Sequence, residues 1–114
     1  MKTIIYHNPR CSNSREALSL LEKSNEDFEV IEYLKHAPSI EELTKILSKL
    51  KLKPEELVRK KEALYKEKFE GKKYTDKQWI EILCNNPVLI ERPLVVKGNK
   101  AIIGRPPRKI LEIL

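Results

Sequence analysis

Cysteine, histidine, glycine and large aromatics are all scarce in this 114-residue chain. Two cysteines, Cys11 and Cys84, are too few for a disulfide framework and supply too few ligands for a structural zinc site. With two histidines and three glycines there is neither a metal-ligand cluster nor a glycine-rich phosphate loop, so no bound metal or nucleotide cofactor is expected. No apolar run approaches the roughly 18 residues of a membrane helix. The first strand-like residues reach His7-Asn8-Pro9-Arg10 too soon for a secretory leader. A soluble, cytoplasmic, single-domain protein is the expectation, and a monomer is the simplest assembly. At 40% hydrophobic and 35% charged residues, the chain is polar yet apolar enough to fold around one modest core.

Acidic residues are also in deficit, and the deficit is local. The net charge is +6, and residues 45–73 alone hold 11 Lys/Arg against 5 Asp/Glu. Such a stretch suits an anionic partner or a solvated helical face. Tyr65, Phe69 and Tyr74 do not space out like a stacking platform for single-stranded nucleic acid, so nucleic-acid binding is not expected.

Hydrophobic periodicity sets the order of elements. Lys2–Tyr6 reads as a strand and Ser14–Lys23 as a helix with Ala17, Leu18, Leu20 and Leu21 on its apolar side. Ser12, Asn13 and Ser14 are all N-cap types, and Glu16 falls in the first turn of that helix. Phe28–Tyr33 reads as a second strand. Ser39 and Glu42 form a capping-box pattern ahead of Ile40, Leu43, Ile46, Leu47 and Leu50. Residues 53–85 are helical in pieces: Pro54 suits a first helical position, Thr75-Asp76 a cap, and Pro87 a stop. Leu94–Val96 and Ala101–Ile103 are short strands joined at Gly98-Asn99, and Pro106–Leu114 reads as a closing helix. The pattern predicts an α/β fold: a βαβ half, then ββα, making a mixed four-stranded sheet across residues 1–114 with a helical insertion at about 39–86.

Cys11 is the residue with the clearest chemistry. It ends the loop after the first strand, at the mouth of the first helix, where exposed amides and the helix dipole favour an anion. A thiolate is the nucleophilic form of cysteine and is favoured at such a place. Its neighbours Asn8, Pro9, Ser12, Asn13 and Ser14 belong to loops and caps, which argues against an inert buried cysteine. Cys84, among Ile80, Ile82 and Leu83, reads as a small core residue. The fourth position of Cys11-Ser12-Asn13-Ser14 is a hydroxyl. Ser14 can hydrogen-bond a sulfur but cannot form a disulfide, so an outside thiol must release an oxidised Cys11.

The segment Tyr-His-Asn-Pro-x-Cys-x-x-Ser-Arg (residues 6–15) resembles the active-site loop of the glutaredoxin-dependent arsenate reductases. The resemblance continues through Tyr33-Leu34, Pro38-Ser39-x-Glu-Glu-Leu, Leu57-Val58-Arg59-Lys60, Asn86-Pro87-x-Leu-Ile-x-Arg-Pro and Gly104-Arg105-Pro106 to Ile110–Leu114. It implies a thioredoxin-like fold with a helical insertion. It makes Cys11 the nucleophile that attacks arsenate, and Arg59, Arg92 and Arg105 the side chains that hold the oxyanion. Planar guanidinium forks match a tetrahedral oxyanion with paired hydrogen bonds, and their field favours a thiolate beside them. His7, Asn8, Ser14 and Pro93 match supporting positions: His7 beside the nucleophile, Asn8 as a donor in the oxyanion loop, Ser14 as a donor to sulfur, and Pro93 as the cis-proline of the fold. Glutathione as co-substrate and glutaredoxin as partner follow from the resemblance. Arg10 departs from the family pattern, in which a small residue is common; it adds charge beside the nucleophile and bears on anion binding or the choice of thiol.

Two other readings compete. A redox-responsive transcription regulator of the same fold binds RNA polymerase, but it carries Cys-x-x-Cys where this chain has Ser14, and the full arginine set also argues against it. A thiol reductase acting on other substrates would use the same anion pocket beside a thiolate.

Overall fold

The computed structural model describes residues 2–114. Four strands, β1 (Thr3–His7), β2 (Phe28–Glu32), β3 (Leu94–Lys97) and β4 (Lys100–Ile103), form one sheet in the order β2-β1-β3-β4. The pair β1–β2 is parallel, because α1 (Ser12–Lys23) returns the chain to the same edge. The pairs β1–β3 and β3–β4 are antiparallel. Gly98 takes φ +62° in the two-residue connection between β3 and β4, the positive-φ first position that a II′-type hairpin reserves for glycine.

The chain divides into two compact units. The first holds the residues up to His36 together with Arg92–Leu114. Its core is Ile5, Ala17, Leu21, Val95 and Ile110, all fully buried. The alternation of a strand sends Ile5 and Val95, which face each other in the register, to the side on which α1 packs. The apolar stripe Ala17-Leu18-Leu20-Leu21 predicted for α1 is the surface that meets them. Residues 107–112 close this core as a 3-10 helix, and the longer closing helix expected over Pro106–Leu114 does not form.

The second unit, Ala37–Glu91, contains α2 (Ile40–Leu50), α3 (Ala63–Lys68), α4 (Asp76–Asn85) and two 3-10 turns at Pro54–Leu57 and Pro87–Leu89. Ser39 caps α2 by accepting the Glu42 amide at 3.1 Å, and Thr75 with Gln78 makes a reciprocal capping box on α4. Leu43, Ile46, Leu47, Leu57, Trp79 and Leu83 are buried here. Trp79 meets Tyr74 edge-on at 4.9 Å and lies nearly parallel to Tyr65 at 6.5 Å. The aromatics of the basic stretch therefore belong to a core. Its lysines belong to the solvent, which is why the charge excess coexists with a folded unit.

Candidate active site

The loop between β1 and α1 is built by Asn8. Its carbonyl accepts the Cys11 amide at 3.0 Å, closing a turn with Pro9 at the second position, where its locked φ fits. Its side-chain Oδ1 accepts the Arg10 amide at 3.0 Å, and its own amide donates to the Ser14 hydroxyl at 3.0 Å. Arg15 reaches back and donates from Nη1 to the Pro9 carbonyl at 3.1 Å. Three groups of Asn8, its carbonyl, its amide and its side-chain oxygen, thus set the shape of the loop.

Cys11 is itself the N-cap of α1, with extended φ −95° and ψ 123° and no capping bond from its side chain. Its carbonyl accepts the first helical bond, from the Arg15 amide at 3.0 Å. The helix thus begins at Ser12, two residues before the expected start, and Ser12, Asn13 and Ser14 form its first turn. Glu16 lies beyond that turn, which carries no acid. The amides of Ser12, Asn13 and Ser14 precede the first helical hydrogen bond and point out of the helix end beside Cys11. Cys11 is partly exposed, as a reagent-facing sulfur must be.

Ser14 is completely buried, and its hydroxyl serves two partners: the Asn8 amide and Nδ1 of His7, at 2.6 Å. That hydroxyl thereby links the histidine to the loop. Helix geometry explains the link, because the third helical residue points its side chain back under the loop toward the end of β1. Burial pushes the His7 pKa below its ordinary 6.5; Glu32 pulls it up and Arg15 lowers it further. His7 is then a neutral ring at neutral pH.

Register places three more residues at the same end of the sheet. Tyr6 lies opposite Leu94, and Leu94 opposite Ile103, so the exit of β1, the entry of β3 and the exit of β4 are neighbours. Arg92 and Pro93 stand just before that entry, and Gly104 and Arg105 just after that exit. The Gly104 amide donates to the Pro93 carbonyl at 2.8 Å and ties the two segments together. A Cβ on Gly104 would lie 2.9 Å from Pro93 Cγ and 3.1 Å from Ile110 Cγ2, so this crossing requires glycine. The Arg92–Pro93 bond is cis, as the family pattern implies, and Arg105–Pro106 is cis as well. Arg92 is half-buried and Arg105 exposed.

Arg59 belongs to the second unit, beside the bridge Val58–Ile90, where its amide donates to the Leu89 carbonyl at 2.7 Å. Its guanidinium is held by two carboxylates: Nη1 by Glu62, and Nε by Glu91 at 3.2 Å. Neither acid was picked out from the sequence. The i,i+3 spacing of Arg59 and Glu62 was the available signal. Cys84, on α4, is partly exposed like Cys11 rather than a core residue; burial raises its thiol pKa and Glu42 adds to the rise, which disfavours its thiolate. No helix among the described residues is long and apolar enough to cross a membrane.

Comparison with known proteins agrees with this layout. The family model described as "ArsC family" matches residues 6–113. A protein of Haemophilus influenzae named arsenate reductase is 40% identical, with 100% of each chain covered. An uncharacterized protein of Escherichia coli K12, YfgD, is 45% identical over 96% of this chain and 94% of its own length. A solved structure titled "Arsenate reductase from Vibrio cholerae" superposes with a TM-score of 0.95 at 45% identity, covering 100% of this chain and 98% of that one. That solved structure shares the thioredoxin-like architecture of this chain.

Proposed function

The chain belongs to the ArsC family, and from that premise we propose that it reduces arsenate to arsenite through Cys11, with glutathione and glutaredoxin supplying the electrons. The observation that carries the reading is the convergence at one end of the sheet. Cys11, at a helix N-terminus, shares that end with the strand-terminal Arg92 and Arg105. A tetrahedral dianion suits guanidinium forks, and a sulfur beside outward-pointing amides suits attack on an electrophilic centre.

In the proposed sequence Arg59, Arg92 and Arg105 bind the arsenate oxygens. For Arg59 this means exchanging Glu62 and Glu91 for substrate. The Cys11 thiolate attacks arsenic, and one arsenate oxygen leaves as water after taking up protons. The thiol of glutathione then supplies the second sulfur. Arsenic accepts two electrons, passing from the five to the three state, as Cys11 and glutathione become a mixed disulfide. Arsenite departs, and glutaredoxin reduces that disulfide and restores Cys11. Ser14 supports the need for an external thiol: a buried hydroxyl already engaged by His7 and Asn8 cannot resolve an oxidised Cys11.

The test is coupled arsenate reduction with glutathione and glutaredoxin. Wild type should turn over and Cys11→Ser should be inactive, while Arg92→Ala should weaken arsenate binding by roughly 1.5–3 kcal/mol, the range for a charged hydrogen bond. Activity that survives Cys11→Ser would remove the mechanism.

A further inference from the structure

A cavity of about 170 Å³ lies beside the nucleophile loop, at the carboxyl ends of the parallel strands β1 and β2. One wall is Pro9 and Arg10, from the loop after β1; the other is Glu32, Leu34 and Lys35, from the end of β2 and the turn that follows. Leu34 is 43% exposed, one of few large apolar side chains left at the surface. The charged groups are two cations and one carboxylate, and His7 and Asn8 complete the lining. Arg10 is exposed. Lys35 meets Glu32 at 3.7 Å with both side chains well exposed, so that bridge is weak and readily exchanged for a ligand's charges.

The volume is too small for a whole tripeptide and suits one amino-acid-sized group. We propose that this cavity seats the zwitterionic amino-acid end of the small thiol that reduces Cys11, its carboxylate on Arg10 and Lys35 and its ammonium on Glu32. Arg10 directly precedes Cys11 in the chain, and an extended peptide covers about 3.5 Å per residue. A ligand anchored at Arg10 therefore needs only one or two further residues to bring its sulfur to the cysteine. This assignment rests on the reading of Cys11 as a thiol-reduced nucleophile, and it gives Arg10 a role as a determinant of the thiol donor.

The probe is S-methylglutathione, which carries the charges and cannot react. Titrated into the ¹⁵N-labelled full-length protein, it should shift the amides of Asn8, Arg10, Leu34 and Lys35 saturably. Arg10→Ala and Lys35→Ala should each raise its Kd about tenfold, as expected for a charge-assisted contact. S-methylcysteine binding equally well would assign the cavity to a single amino-acid thiol, and tighter binding of the tripeptide to glutathione; both outcomes support the site. Shifts that map elsewhere, survive in Arg10→Ala/Lys35→Ala, or occur equally with the diethyl ester of S-methylglutathione would overturn it. Binding here without arsenate turnover would leave the cavity standing and remove the arsenate reading. Turnover by a protein whose cavity ignores the probe would do the reverse.

Discussion

Replacing Ser14 with alanine tests the geometry on which the loop depends. Ser14 is completely buried, and His7 and Asn8 are only 6% and 9% exposed. The substitution leaves His7 Nδ1 and the Asn8 amide without the oxygen that joins them, and water cannot easily reach either. A buried polar group stripped of its partner costs about 1–3 kcal/mol. Two such groups, with partial relaxation, give a destabilisation of roughly 2–4 kcal/mol. For a domain of this length, about 4 °C is lost per kcal/mol, so the melting temperature should fall by about 8–16 °C. Calorimetry and urea unfolding measure this directly. Because the Asn8 carbonyl receives the Cys11 amide, hydrogen exchange at Cys11 should also quicken as the turn loosens. Ser12→Ala is the control: Ser12 is exposed, and its loss should cost under about 0.5 kcal/mol. A Ser14→Ala protein as stable as the Ser12→Ala control would refute the role assigned to that hydroxyl.

Three further outcomes follow from the same structure. Gly104→Ala forces a methyl group against the stiff ring of Pro93 and should cost about 1–3 kcal/mol in urea unfolding, with unchanged stability arguing against the close crossing of the segments that carry Arg92 and Arg105. Burial depresses the His7 pKa in the folded state, so the unfolded chain takes up the proton first as the pH falls. The stability that neutral His7 contributes is therefore complete above the ordinary value of 6.5 and declines below it; His7→Gln should flatten the urea midpoint between about pH 5 and 7, and an unaltered slope would contradict the assignment. Glu26, held below the usual carboxylate range chiefly by a hydrogen bond from Lys97, titrates in a more acidic window and leaves this one clean. Finally, iodoacetamide at neutral pH should label Cys11 at least about tenfold faster than Cys84, whose thiol is raised by burial, as mass mapping of the native protein can read; equal rates would remove the distinction between the two sulfurs.

The division between sequence and structure follows the range of the forces involved. Element order, the apolar face of α1, the caps at Ser39 and Thr75 and the hairpin at Gly98 were legible in the sequence. Each depends on neighbours within a turn or two. The ends of elements were less legible. Cys11 became the cap because the Asn8 turn delivers it in an extended conformation, a loop property that the cap-forming side chains of Ser12, Asn13 and Ser14 concealed. Only tertiary structure could decide three matters: that Ser14 belongs to His7 and Asn8, that Glu62 and Glu91 hold Arg59, and that strand register carries Arg92 and Arg105 to the end of the sheet where β1 delivers its loop. Side-chain partners and register are chosen by contacts between segments far apart in the chain, where local preference is silent and the packing of the whole sheet selects one arrangement.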